Sequence, residues 1–303
     1  MTTAIVIILA VLLDLWLGEP RRFHPLAGFG RLAQGIEAKL IGAPDEQQRL
    51  RGVLALALAV VPWVVLAWLM ATLPWVGLVV SALLLYLAIG GSSLAQHGRA
   101  VAGALAAGDL PLARQRVGLM VSRDSENLDE AGVSRAAVES VLENGNDALF
   151  GAIFWFVLLG APGVVLFRLS NTLDAMWGYR TERYHAFGWA AARLDDLLGW
   201  LPARLTALAY LLVGDAVRGW RCWQGQGDRS DSPNAGVVMA SGAGALGLSL
   251  GGPTAYHGHL LEKPLLGEGL APRGTDIDRA VGLVQRALML WLALILLLGV
   301  LFG

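Results

Sequence analysis

Between Arg51 and Arg99 the chain carries no Asp, Glu, Lys or Arg. A run that long cannot lie on a water-facing surface, and it is twice the roughly 20 residues an α-helix needs to cross a hydrocarbon core. Pro62 and Pro74 punctuate it, and Pro74 falls where two spans of that length would meet. The run therefore predicts a helical hairpin, 53–71 and 75–92, with both ends on one side of a membrane. Composition agrees: 55% of the 303 residues are hydrophobic and 16% charged, against roughly 25% charged in an average globular chain. The 11 Trp outnumber the 8 Phe and the 5 Tyr, as suits side chains with one wet edge at a bilayer interface. A net charge of −1 offers no field for nucleic acid, and the single cysteine, Cys222, excludes an internal disulfide.

Two further spans are clean. Ala4 to Leu17 is apolar apart from Asp14, lacks a basic leader or cleavage site, and reads as a retained span over 3–18. Leu283 to Phe302 is interrupted by Arg286 alone. Three segments are less regular. Within 148–169, Gly160-Ala161-Pro162-Gly163 interrupts an otherwise sufficient length, which predicts two half-helices in a re-entrant hairpin. The segment 197–213 carries Pro202 and Arg204 and reads as tilted or interfacial, and 236–252 is rich in Gly, Ala and Ser, which favour close helix packing. All 23 Lys and Arg fall in five blocks, roughly 21–51, 99–135, 168–204, 218–229 and 263–286. Arg21 and Arg22 end the first span, so the positive-inside rule places these blocks on the cytoplasmic face. The fold expected is an all-α integral membrane protein: a polytopic helical bundle, one domain over 1–303, with polar cytoplasmic-side segments carrying the site.

Those segments hold the chemistry. Asp14 in an apolar helix is either functional or a helix-end partner of Arg21 or Arg22. Ser122 to Glu130 is the densest polar stretch, containing Arg123, Asp124, Glu126, Asn127 and Asp129. A helical stretch follows, on which Arg135, Glu139 and Glu143 share one face at i, i+4, i+8. It ends in Asn144-Gly145-Asn146-Asp147 at the border of an apolar segment, where oxygen donors have the character Mg²⁺ requires. A solvated, salt-bridged face is the plainer alternative. Asn171 and Asp174 repeat the Asn-x-x-Asp spacing on the far side of the expected hairpin, so the two pairs are expected to converge if the chain doubles back. Arg180, Arg183 and Arg193 would supply charge for phosphate oxygens. Tyr179, Tyr184 and Trp189 are either ligand platforms or interfacial belt. His257 and His259 lack a third ligand for zinc, and Gly242-x-Gly244-x-x-Gly247 has no βαβ setting, so it is read as helix packing rather than a dinucleotide loop. Any ATP would bind without a Walker loop.

Together these segments resemble the adenosylcobinamide-phosphate synthase family, the CobD/CbiB membrane proteins of cobalamin biosynthesis. The resemblance rests on Arg123-Asp124-x-Glu126-Asn127-Leu128-Asp129, on Ala137-Val138-Glu139-Ser140 with Glu143-Asn144, and on Asn171-Thr172-Leu173-Asp174-x-Met176-x-Gly178-Tyr179. Glu182-Arg183-Tyr184 with Phe187-Gly188-Trp189, Ala192 to Asp196, Pro202 to Thr206 and Ser232-Pro233-Asn234-Ala235-Gly236 extend it over nearly the whole chain. Gly145-Asn146 and Val237-Val238-Met239 depart from the family pattern, the latter where an acid is usual. The resemblance implies an ATP- and Mg²⁺-dependent ligase of the bacterial inner membrane. It would join aminopropanol phosphate or ethanolamine phosphate to adenosylcobyric acid, giving adenosylcobinamide phosphate through an acyl phosphate. On that reading Glu139, Glu143, Asp147 and Asp174, with Asp124 and Asp129 nearby, position Mg²⁺. Arg123, Arg180, Arg183 and Arg193 hold phosphates, assisted by Asn144, Asn171, Asn234 and Tyr179. Asp195 or Asp196 serves as general base. Partners would be the corrinoid, the amino alcohol phosphate and the lipid bilayer, with a second copy or other cobalamin-pathway membrane proteins as further candidates. The alternatives are a Mg²⁺-dependent prenyltransferase using the paired Asn/Asp motifs, which predicts seven or more clean spans, and a non-catalytic membrane sensor of the same fold.

Overall fold

The computed structural model describes residues 1–20, 24–42, 45–121, 123–256 and 259–302. Arg21, Arg22, Ser122 and His257, each used above, lie outside these residues, as does the side chain of His259. The elements are α1 (Thr2–Leu17), α2 (Pro25–Leu40), α3 (Asp45–Ala71), α4 (Val76–Ala88), α5 (Gly91–Ala106), α6 (Leu110–Gly118) and α7 (Glu130–Gly145). A π-turn (Asn146–Phe150) leads into α8 (Gly151–Trp177), followed by α9 (Trp189–Val213), α10 (Ala216–Gln226), α11 (Ala235–Leu246), strands β1 (Ser249–Tyr256) and β2 (His259–Gly267), and α12 (Gly274–Phe302). Among the described residues, five helical stretches, Gln47–Ala71, Val76–Ala106, Glu130–Trp177, Trp189–Val213 and Gly274–Phe302, are long and apolar enough to cross a membrane. The protein is an all-α polytopic membrane protein.

Helix α3 shows how the sequence dictates this. Leu54, Leu58, Val61, Val65 and Leu69 recur at helical spacing and are each about half exposed, while Ala55 and Ala59 are fully buried. A soluble helix would put its large apolar side chains inward. Here they face outward, as lipid requires, and the small residues let neighbouring backbones approach.

The chain divides into two compact units. The first comprises Met1–Gly90, Gly151–Gly199 and Gly299–Gly303. Its core joins Phe29 and Ala33 of α2, Ala55, Ala59 and Val60 of α3, Leu169, Leu173 and Trp177 of α8, and Phe187 and Ala191. Helices α3 and α4 form the hairpin read from Pro74, with the turn at Thr72–Trp75. In α8, Gly160 adopts φ 65° and ψ −147°, a conformation open to glycine and costly for any other residue. A Cβ on Gly163 would overlap the carbonyl of Trp155, and one on Gly151 would overlap the ring of Phe167. In an unbroken helix those pairs would stand about 12 and 24 Å apart at 1.5 Å per residue. The chain therefore doubles back at Gly160. Pro162 then lies in the first turn of the returning half-helix, where its missing N–H leaves nothing unpaired.

The second unit comprises Gly91–Phe150 and Trp200–Leu298. Every residue of α11 is buried. Gly244 lies so close to Gly219 of α10 that an added Cβ would be 2.8 Å from its Cα, so the small residues of this segment do serve close packing. The sequence pattern carried the apolar segment on to residue 252, whereas α11 ends at Leu246. The chain then turns into β1, which pairs antiparallel with β2, with a bulge between Leu250 and Gly252. This hairpin was not legible in the sequence.

Candidate functional site

The acidic residues of α7 enter the second unit from one helix face. Asp129 begins the helix: its Oδ1 accepts the Gly132 N–H at 2.7 Å, an ordinary N-cap that satisfies a donor the helix cannot. Two turns on, Glu139 is 5% exposed and forms an ion pair with Arg123, which is 9% exposed. The other oxygen of Glu139 accepts the Gly251 N–H at 2.8 Å, and Arg135, one turn earlier, donates to the Gly251 carbonyl at 2.8 Å. One residue of the β-bulge, Gly251, is thus held by α7 through both its N–H and its carbonyl. Gly251 has φ 82°, and a Cβ there would overlap the Pro264 carbonyl, so the bulge needs glycine on both counts.

Beyond Glu139 the acidic face continues. Glu143 lies within electrostatic reach of Asp147, Lys263, Glu139 and Arg123. The π-turn that carries Asp147 disrupts the regular ladder, and α9 makes good the loss. Tyr210 donates its hydroxyl to the Leu142 carbonyl at 3.0 Å, and Thr206 donates to Asn146 Oδ1 at 3.0 Å. Asn146, 2% exposed, in turn donates to Asp147 Oδ1 at 2.8 Å. Such turns recur at functional sites because they re-aim a side chain without ending the helix. Asn144 donates to the carbonyl and hydroxyl oxygens of Ser140. Asn234 accepts from Arg204 at 2.8 Å at the start of α11. Arg123, Glu139, Glu143 and Asp147 are therefore brought together, with Asp124 half-buried in the loop beside Arg123.

The first unit carries the other predicted group. Asn171 of α8 donates to Asp195 of α9 at 3.3 Å and accepts from Arg168 at 3.4 Å. Asp174 lies one turn further along α8, where its carbonyl accepts the Gly178 N–H at 2.7 Å. Asp196 stands 3.9 Å from Arg193 and within electrostatic reach of Arg180. Tyr179 is half exposed. Arg183 turns towards Glu37 of α2, donating from Nη2 at 2.7 Å. Asn144 and Asp147 belong to one unit and Asn171 and Asp174 to the other.

Among the described residues, no three His, Cys, Asp or Glu side chains are arranged to hold a metal ion. Glu143 and Asp147 nevertheless suit Mg²⁺, which commonly takes one or two carboxylates and completes its octahedron with water and phosphate oxygens. Several participants escaped the sequence reading. Glu37 looked like an ordinary polar residue of a mixed helix. Lys263 and Gly251 lie in the unforeseen hairpin. Arg168 borders an apolar run, and its spacing of three from Asn171 was the one available signal.

A sequence model for the family described as CobD/Cbib protein matches residues 7–284. The chain belongs to this family. Among curated relatives of the CobD/CbiB chain, "Cobalamin biosynthesis protein CobD" of Chromobacterium violaceum is 58% identical, covering 100% of this chain and 99% of the relative. The protein of the same name from Stutzerimonas stutzeri is 55% identical over 100% of both chains. That from Mycobacterium tuberculosis is 41% identical over 92% of this chain and 90% of its own. No solved structure matches this CobD/CbiB chain. Val237, Val238 and Met239, where the family pattern was expected to carry an acid, are packed inside α11.

Proposed function

We propose that the protein acts in cobalamin biosynthesis as a carbon–nitrogen ligase at the bacterial inner membrane, working on the cytoplasmic face. It would join an amino alcohol phosphate, aminopropanol phosphate or ethanolamine phosphate, to the free carboxylate of adenosylcobyric acid at the expense of ATP. The observation that carries this reading is the buried Arg123–Glu139 pair leading along one helix face to Glu143 and Asp147, in a chain whose close relatives are named for the pathway.

A carboxylate is a poor acceptor for an amine. Its oxygen would first take the γ-phosphoryl group of ATP, releasing ADP; the amine would then attack the acyl carbon and release phosphate. Mg²⁺, held through Glu143 and Asp147 with Asp124 as a further donor, would neutralise phosphate charge, and Asp174 would serve a metal-bound phosphate in the first unit. Arg123 in the second unit, with Asn144 as a neutral donor, and Arg180 and Arg193 in the first, with Asn171, would each hold phosphate oxygens. Asp195, already bonded to Asn171, or Asp196 would take the ammonium proton. Glu139 and Asp129 serve this arrangement from behind, through Arg123 and the helix start.

Detergent-purified protein given adenosylcobyric acid, aminopropanol phosphate, ATP and Mg²⁺ should form adenosylcobinamide phosphate, detected by mass, only when all four are present. Glu143→Ala and Asp174→Ala should each lower turnover by on the order of 100-fold, the scale of losing one preorganised electrostatic contact. Absence of both product and corrinoid binding in the wild type would overturn the assignment. Full activity of both variants with unchanged Mg²⁺ dependence would remove the metal set.

A further inference from the structure

One buried acid has no place in the chemistry above. Glu37 of α2 is 6% exposed, yet neither composition nor spacing marks it. Its Oε1 accepts from Arg183 Nη2 at 2.7 Å, from Arg183 Nε at 3.3 Å and from the Tyr184 hydroxyl at 3.0 Å. Its Oε2 accepts from the indole N–H of Trp177 at 3.2 Å. Four donors thus converge on one carboxylate. They come from the last residue of α8 and from the segment that joins α8 to α9. We propose that Glu37 is the positioning residue of the 178–188 loop, latching it so that Tyr179 and Arg180 are held in place for a phosphate-bearing substrate. The proposal rests on the ligase reading for the identity of that substrate, the amino alcohol phosphate or the nucleotide.

The loop has no helix or strand of its own to hold it. Between Trp177 and Trp189 it is a series of turns, with Thr181 accepting from the N–H groups of Tyr184 and His185. Its far end is fixed where Gly188 presses against the Trp177 carbonyl, a contact that no side chain would permit. Trp177 is fully buried and meets Phe187 edge-on at 5.1 Å. Both ends are therefore anchored in the core, and the middle, where Tyr179, Arg180, Thr181 and Glu182 are exposed, is tied to α2 through Arg183 and Tyr184. A buried carboxylate is expensive unless it is fully hydrogen-bonded, so the latch has one favourable state, closed. The Arg183 guanidinium stacks 5.5 Å from the Tyr184 ring, which holds the two donors as one unit. Burial, reinforced by the bond to Glu37, pushes the Tyr184 phenol above its ordinary value, so it stays a donor at physiological pH.

Trypsin reads the loop without turnover. In detergent, the wild type should resist cleavage after Arg180, while Glu37→Gln and Glu37→Ala should be cut there at least tenfold faster. Tyr184→Phe, which removes one neutral donor, should give a smaller rise and guards against misfolding of the Glu37 variants. In the product assay, Glu37→Gln should raise KM for the amino alcohol phosphate or for ATP about tenfold with kcat within twofold. Cleavage of folded Glu37→Gln and Tyr184→Phe at the wild-type rate would overturn the latch, as would wild-type KM values for both phosphate substrates in a variant whose loop is demonstrably loosened. An inactive wild type whose loop still responds to Glu37→Gln would instead sink the ligase reading alone.

Discussion

Removing the Arg123 side chain tests whether the pair at the centre of the second unit is structural in the sense argued. The two side chains of the Arg123–Glu139 pair are 6% and 7% exposed. Arg123→Ala leaves the Glu139 carboxylate buried with the Gly251 N–H as its remaining described donor. Breaking a buried pair from one side costs about 3–5 kcal/mol, because a charge is stranded. In a cooperative unit of this size each kcal/mol lowers Tm by about 2–4 °C, so the variant should melt roughly 6–20 °C below the wild type. The double variant Arg123→Met/Glu139→Leu strands no charge and should recover part of that loss. It should still fall short of the wild type by about 1–3 kcal/mol, because the Gly251 N–H loses its acceptor. Thermal unfolding in detergent, followed by intrinsic fluorescence, measures all three. A drop under about 2 °C for Arg123→Ala, or a double variant as unstable as the sum of the single ones, would refute the reasoning.

Two further predictions follow from local geometry. Gly160→Ala and Gly163→Ala should both lower Tm, by about 1–3 kcal/mol each, for opposite reasons: Gly160 has open space but a glycine backbone, and Gly163 has an ordinary backbone but no space. An unchanged Tm for both would mean the chain does not double back there. His24 caps α2 by accepting the Leu26 N–H on Nδ1 at 3.2 Å, which requires the neutral ring. Burial lowers its pKa below 6.5, with Arg168 acting in the same sense and Glu19 against it. The unfolded chain therefore binds the proton more readily, and this contribution to stability is full above pH 6.5 and is lost as pH falls below it. His24→Asn keeps a capping acceptor without the titration, so its melting temperature should fall less than that of the wild type between pH 7 and 5; parallel curves would contradict the assignment.

Charge-free length pointed to the stretches that α3, α4 and the end of α12 occupy, whereas the start of α12 at Gly274 lies in a charged stretch that length alone does not mark. The break in α8 was legible because Gly-x-Pro-Gly admits few backbone paths. The β-hairpin was not legible, because Ser249 to Gly267 alternates poorly and contains Gly251, Gly252, Pro253 and Pro264, each unfavourable in a strand. It exists through tertiary contacts, above all the bonds of Glu139 and Arg135 to the N–H and carbonyl of Gly251. Glu37 was invisible for a related reason. Its partners lie 140 to 147 residues away, and no local pattern on α2 announces them. Asp129 shows a signal that was present and outweighed: an Asp directly before a helical run is an N-cap first and a metal ligand second.

These assignments divide the acidic face of α7 into two kinds of carboxylate. Glu139 has one oxygen on Arg123 and the other on a backbone N–H, and Asp129 has committed Oδ1 to the helix start. A carboxylate so engaged would have to surrender those bonds to bind an ion, at a cost that ion binding would have to exceed. Glu143 and Asp147 stand one turn apart, with the π-turn beginning between them; Lys263 and Arg123 lie within electrostatic reach of Glu143, and Asp147 accepts from Asn146 at 2.8 Å. Two acids in that situation favour a divalent cation most when phosphate oxygens arrive with it, since alone they leave an octahedral ion mostly to water. The same two acids would then repel a phosphate that arrives without its metal. Under the proposed function the acidic face would select the metal-bound nucleotide over the free one, with the first unit's Arg180 and Arg193 offering charge to phosphate oxygens.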